Sequence, residues 1–199
     1  MYQIIKGKEI TRQHVKQALE LDFICYNDEY HLDYDKCYGY LDKNNYIYVM
    51  LLSDDKVIGY INFSPINDIA YNRIYHGEKD NFLTFDEVET YDFSNIESNI
   101  KKEYNLYFSS IVLHPAYRKK GLSNVLIEGL VNHIKDLQDM GIKIKRILAD
   151  CVSYEGELMV SKLGLKKIAE TSRGTSTYEC YINPFNGNIT KYNERLFKK

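Results

Sequence analysis

Proline is scarce in this 199-residue chain, with three residues, and no low-complexity tract interrupts it. Both absences exclude the compositional classes that stay unfolded. No apolar run approaches the length of a membrane span. Met1-Tyr2-Gln3-Ile4 opens straight into strand-like sequence, without the blocks of a signal peptide. A cytoplasmic protein with no membrane partner is therefore expected. The four cysteines, Cys25, Cys37, Cys151 and Cys180, form no CxxC pair and no cluster with histidine. Reduced thiols are expected, and no metal site. Positive charge is also lacking: the net charge is -2, so nucleic acid is not an expected partner despite the cations Arg118 to Lys120 and a basic tail from Lys191 to Lys199. Neither G-x-x-x-x-G-K-[ST] nor G-x-G-x-x-G occurs, which removes the P-loop and the dinucleotide fingerprint.

What is present suits one sizeable domain: 44% hydrophobic and 27% charged residues, with 19 scattered tyrosines that by themselves indicate no chemistry. Tyr2 to Ile5 reads as a strand. Thr11 can cap a helix through Val15, Ala18, Leu19 and Phe23. A polar, tyrosine-rich stretch, Asp28 to Asn45, holds a second short helix. Tyr46 to Leu52 and Val57 to Phe63 flank Ser53-Asp54-Asp55-Lys56 as a hairpin. Pro65 to Tyr104 carries nine acids against four bases, and reads as a lid, a binding loop or a solvated, partly helical insertion. Asn105 to Leu113 is the next strand. The helix Leu122 to Met140 lines Leu122, Val125, Leu126, Leu130, Ile134 and Leu137 on one face, with Gly141 at its end. "KIKRILADCV", "EGELMVSKLG", "LKKIAET" and "STYECYIN" read as strand, helix and a final strand pair around Ser172-Arg173-Gly174. The expected fold class is α/β (α+β): a mixed, mostly antiparallel central sheet flanked by helices, in one domain spanning 1–199 with an acidic insertion at 65–104.

Between the strand "LYFSSIVL" and that long helix lies "HPAYRKKGLS". A helix N-terminus offers free amides and the positive end of the dipole. Gly121 lets a ligand's oxygens approach the backbone, and Arg118, Lys119 and Lys120 add charge. These parts suit a phosphate or pyrophosphate. A glycine-assisted turn with solvated cations would read the same way, and the strand before and amphipathic helix after favour the anion.

The stretch "SSIVLHPAYRKKGLSNVLIEGL" resembles the [QR]-x-x-G-x-[GA] signature of the GNAT superfamily of N-acetyltransferases, through Arg118 and Gly121. It departs at Ser123, where the family prefers Gly or Ala. "ILADCVSYEGELMVSKLGLKKI" resembles the family's next strand and helix, with Leu163-Gly164-Leu165 in the "KLGF" place. The likeness is specific from about Asn105 to Ile168, and the acidic insertion lies outside the common core.

The resemblance implies an acyltransferase with acetyl-CoA as co-substrate. Amides of Arg118, Lys119, Lys120, Gly121, Leu122 and Ser123 would cradle the pyrophosphate, and the strand edge at Ile111, Val112 and Leu113 would meet the pantetheine arm. The acceptor would be a primary amine on a small molecule or peptide, cationic if the acidic insertion lies beside it; homodimerisation is left open. The acid–base positions depart from the family. Val160 stands where a tyrosine usually protonates the leaving thiolate, and Ser153 replaces the usual asparagine. Tyr107 occupies the place some relatives fill with a glutamate base. Tyr107 and Tyr154 are thus the candidate catalytic hydroxyls, with Glu103, His114 and acids of the insertion left as alternative bases. With Val160 in the acid's place, a catalytically weak or silent acyl-CoA-binding module is the alternative function.

Overall fold

A computed structural model of the chain describes residues 1–78, 83–94, 102–171 and 173–182. Seven strands and five α-helices follow one another as β1 (Tyr2–Lys6), α1 (Arg12–Cys25), α2 (Tyr34–Lys43), β2 (Tyr48–Ser53), β3 (Lys56–Ile66), α3 (Asp68–Tyr75), β4 (Glu103–Leu113), α4 (Leu122–Asp139), β5 (Lys143–Cys151), α5 (Tyr154–Lys162), β6 (Lys166–Glu170) and β7 (Ser176–Tyr181). The strands form a seven-stranded sheet in the order β1-β2-β3-β4-β5-β7-β6. β1/β2, β2/β3, β5/β7 and β6/β7 pair antiparallel. β4 and β5 are parallel, because α4 carries the chain back to the start of the sheet between them. The mixed, mostly antiparallel sheet flanked by helices is thus as expected.

The described residues group into two compact units, Met1–Phe63 with Ser110–Asp136, and Ser64–Ser109 with Leu137–Lys199. In the first, side-chain alternation along β3 sorts two faces. Gly59 points at α4: a Cβ there would stand 2.9 Å from Leu126 Cδ1, Leu113 Cδ1 and the Val112 carbonyl. A Cβ on Gly129 of α4 would stand 3.0–3.2 Å from Ile4 and Val49, so α4 lies close on this face. Tyr60, the next residue along β3, points the other way, toward α1. Thr11 caps α1 by accepting from the His14 amide. The buried stripe of α1 is Val15, Ala18, Leu19 and Asp22. Phe23, expected on that stripe, is 51% exposed: the stripe continues at i+4 from Ala18 and Asp22 takes the place.

In the second unit the acidic insertion is built into the packing. α3 buries Ala70, Tyr71 and Ile74, and Val88 bridges Ile66. Glu87 binds Arg73 through two bonds of 3.1 and 2.9 Å; Lys102 donates to Glu89 and Lys143 pairs with Glu103. Three of the nine acids of this segment are therefore paired. Ser172 and the basic residues Lys191 to Lys199 lie outside the described residues.

Candidate active site

β4 pairs with β5 from Glu103↔Lys143 to Phe108↔Ala149 and then continues to Leu113 without further register partners on β5. The orientation of this last stretch follows from its bonds. The His114 amide donates to the Ile58 carbonyl, and the Val112 carbonyl faces Gly59. Even-numbered backbone groups therefore face β3, and those of Ile111 and Leu113 face away from it. Of the three residues named for the pantetheine edge, Ile111 and Leu113 present their backbone on that edge. Val112 is buried with its backbone turned to β3.

After Leu113 a single tight turn, Pro115–Tyr117, leads into the site's second part. The Arg118 amide is bound by the Pro115 carbonyl at 3.2 Å, and that of Asn124 by the Gly121 carbonyl at 3.0 Å. The amides of Leu122 and Ser123 open α4, where no carbonyl one turn earlier can accept them. Gly121 has φ +77°, and a Cβ added to it would meet nothing within 4 Å. Open space over first-turn amides fits a phosphate or pyrophosphate. Lys119 also takes a left-handed φ, +61°. The three cations differ in what they do. Arg118 Nε donates to the Leu113 carbonyl at 3.0 Å and its Nη2 lies 3.5 Å from Cys25 Sγ, so it braces the turn against the strand end and α1. Lys119 and Lys120 are exposed, with Lys120 over the Tyr117 ring.

Beside this edge stands a group of side chains that sequence reasoning missed. Tyr26, which follows α1, donates to the Ile111 carbonyl at 3.4 Å. Its hydroxyl is 3.3 Å from Ser110 Oγ, which is 3.3 Å from the Tyr60 hydroxyl. Tyr60 in turn donates to Asp22 Oδ1. Burial raises the Asp22 carboxyl to about 6, opposed by the Tyr60 bond and by His31. Burial likewise raises Tyr26 to about 12 and Tyr60 well above its ordinary value. The signal in the sequence was a lone acid at the i+4 position of an apolar stripe.

A stability test follows. The folded Asp22 holds its proton to higher pH than the unfolded one, so its contribution falls as pH rises from about 4 to about 6. Above that window the buried carboxylate costs up to about 3 kcal/mol. Asp22→Asn is expected to melt several degrees higher than the parent at pH 7.5, with the gap narrowing below pH 5. A lower melting temperature at pH 7.5 would contradict this.

Tyr107, Ser153, Tyr154 and Val160 belong to the second unit. Tyr107 is buried in β4, and its hydroxyl is pushed far up by burial and then by the nearby Asp150 charge, so it stays neutral. Ser153 caps α5 by accepting from the Gly156 amide at 3.2 Å. Tyr154 is 69% exposed at the first turn of α5, and Val160 is core at 2%. Cys37, Cys151 and Cys180 are buried thiols raised to about 12 by that burial. Among the described residues no group of three or more His, Cys, Asp or Glu is placed to hold a metal ion. Among them, too, no helix is long and apolar enough to cross a membrane.

The sequence profile of the Acetyltransferase (GNAT) family matches residues 12–152. The chain belongs to that family. No curated protein sequence is significantly similar to it. Solved structures with the same fold include the loading GNATL domain of CurA from Lyngbya majuscula, with TM-score 0.60, 11% identity, and coverage of 91% of this chain and 98% of that one. The PaiA N-acetyltransferase of Thermoplasma acidophilum, in complex with coenzyme A, gives 0.55, 14%, 92% and 99%. The ribosomal-protein-S18-alanine N-acetyltransferase of Escherichia coli gives 0.54, 11%, 92% and 95%.

Proposed function

We propose that this chain is a single-domain N-acetyltransferase that moves an acetyl group from acetyl-CoA to a primary amine. The observation that carries the reading is the Gly121 turn: first-turn amides of α4 under open space, one short turn from the released edge at Ile111 and Leu113. The amides of Leu122 and Ser123 would hold the pyrophosphate, while the backbone of Ile111 and Leu113 would align the pantetheine arm beside them. The neighbour in complex with coenzyme A supports the choice of co-substrate. The thioester supplies an activated acetyl group. The amine nitrogen attacks its carbonyl carbon, the C–N bond forms, and the C–S bond breaks with its electron pair leaving on sulfur. A backbone amide on the β4 edge suits the charge developing on the carbonyl oxygen, and holding both reactants on one edge lowers the barrier further.

Departure of the thiolate needs only modest help, since a thiol's ordinary pKa is about 8.5. Val160 in the core therefore does not forbid turnover. Of the insertion's acids, Glu87, Glu89 and Glu103 are paired with Arg73, Lys102 and Lys143, so these three add little to the attraction of a cationic acceptor. The setting proposed is cytoplasmic.

Val160 favours a second reading, a silent acyl-CoA-binding module. One experiment separates the two. Acetyl-CoA at 100 times its Kd should stabilise the protein by about 2.7 kcal/mol under either reading. Only the transferase releases free thiol when an amine from a panel of polyamines, aminoglycosides and N-terminal peptides is added. No thermal shift would sink both, and a shift without thiol release across the panel would leave the binding module.

A further inference from the structure

The amine loses a proton as it is acylated, and a neutral hydroxyl can take it only by passing its own proton on to an ionised group. In the first unit, four side chains from three separate elements and the residue after α1 converge beside the released edge. Tyr26 sits at the Ile111 carbonyl. Ser110 comes from β4 itself, Tyr60 from β3, and Asp22 from the buried stripe of α1. Alternation explains the meeting: Tyr60 and Ser110 are on the sheet face that α1 covers.

We propose that Tyr26, Ser110, Tyr60 and Asp22 form a proton relay that carries the proton of the attacking amine from the β4 edge to the buried Asp22 carboxylate. The inference rests on the transferase reading above and names its base. The step balances. Tyr26 first turns its proton from the Ile111 carbonyl to Ser110 Oγ, and Ser110 turns its own from Tyr26 to Tyr60. Tyr26 Oη then accepts the proton lost by the amine nitrogen as it passes its own to Ser110 Oγ. Ser110 passes its proton to Tyr60 Oη, and the Tyr60 proton moves to Asp22 Oδ1. Each hydroxyl ends neutral, with one proton, and Asp22 ends protonated. A hydroxyl suits such a role because it donates and accepts at once. Tyr26 and Tyr60 keep their protons at neutral pH, so the chain starts intact. Asp22 lies near the pH at which a base is both ionised and able to hold a proton.

The groups facing Asp22 are consistent with that poise. Tyr60 donates to it from β3, and His31 lies near it from the α1–α2 connection, its Nε2 against the Asp22 and Tyr26 carbonyls. Tyr48 from β2, Cys37 from α2, and Cys25 and Tyr26 from the end of α1 complete the surroundings as neutral groups. Arg118 faces Cys25. Burial is the largest influence on the Asp22 carboxyl, ahead of the Tyr60 bond and His31.

The sign is as follows. The relay works only with Asp22 ionised, so kcat should fall as pH drops through about 6. The test is the pH profile of acetyl transfer to whichever amine the wild-type enzyme accepts. Melting temperature and acetyl-CoA-induced thermal shift serve as folding controls. Asp22→Asn should lower kcat by 10²-fold or more, in the range general base catalysis contributes, and should erase the limb near pH 6 while leaving KM for acetyl-CoA unchanged. Tyr26→Phe removes one half-buried hydroxyl and breaks the relay at its entrance, so it should lose rate to a similar degree with Asp22 intact. Active wild type with unchanged rates and limb in both variants would overturn the relay alone. Wild type that binds acetyl-CoA yet is silent with every amine would overturn the transferase reading and the relay together.

Discussion

Gly121→Val should abolish acetyl-CoA binding. Two physical effects act in the same direction. The residue adopts φ +77°, where a β-branched side chain is strained, costing about 1–2 kcal/mol. The valine side chain would also occupy the open space beside Gly121, which a Cβ enters without meeting protein. Losing two charge-assisted backbone bonds to phosphate, at about 1.5–3 kcal/mol each, weakens Kd by roughly 10²–10⁴-fold. Calorimetric titration measures this directly. Gly121→Ala carries most of the backbone strain with less bulk and should fall between wild type and valine. Lys119→Ala keeps the left-handed residue β-substituted as before and removes only an exposed charge, so a change under about tenfold is expected. Equal losses in Gly121→Val and Lys119→Ala would mean the anion is held by side chains and the cradle is elsewhere.

Arg146→Met should be among the most destabilising single changes in the second unit. Arg146 and Glu179 are each 9% exposed. The guanidinium Nη1 donates to the Tyr71 hydroxyl, lies 3.4 Å from Glu179 Oε1 and 3.3 Å from the Tyr181 hydroxyl, and its Cζ sits 4.0 Å from the Tyr71 ring centroid. Tyr71 donates to Glu179 at 2.9 Å. This cluster ties α3 of the insertion to β5 and β7. Removing the cation leaves a buried carboxylate uncompensated, which typically costs about 3–5 kcal/mol. Replacing both members, Arg146→Met with Glu179→Leu, removes the buried charges together and should recover most of that loss. Denaturant melts of the single and double variants read the difference. A double variant no more stable than the single would show that Glu179 is compensated by other groups.

The local features of this protein were legible before the fold. The α4 helix was expected to run from Leu122 to a stop at Gly141, and it ends at Asp139 with Gly141 at φ +88°. Apolar spacing at a helical period and a glycine at its end are properties of consecutive residues. The hairpin of β2 and β3 and the Gly121 turn were legible for the same reason. The insertion was legible only in outline. It read as a lid, a binding loop or a solvated, partly helical segment; α3 is its helix, while Arg73, Lys102 and Lys143 neutralise three of its acids, and Tyr71 and Val88 are buried. Charge counts along a segment say nothing of partners outside it. The α1 stripe was read one residue off, at Phe23 in place of Asp22, because an acid was not expected on a buried face.

The sequence by itself determined the order of strands and helices, the turn at Gly121 and the family, since each is written in neighbouring residues whose spacing sets local geometry. Only the tertiary structure decided which of the 19 tyrosines meet a buried acid. Tyr26 and Tyr60 meet Ser110 and Asp22 because strand register and helix docking bring distant positions onto one sheet face. Burial, which no residue carries in its own identity, then moves the Asp22 carboxyl into the range where it can take a proton.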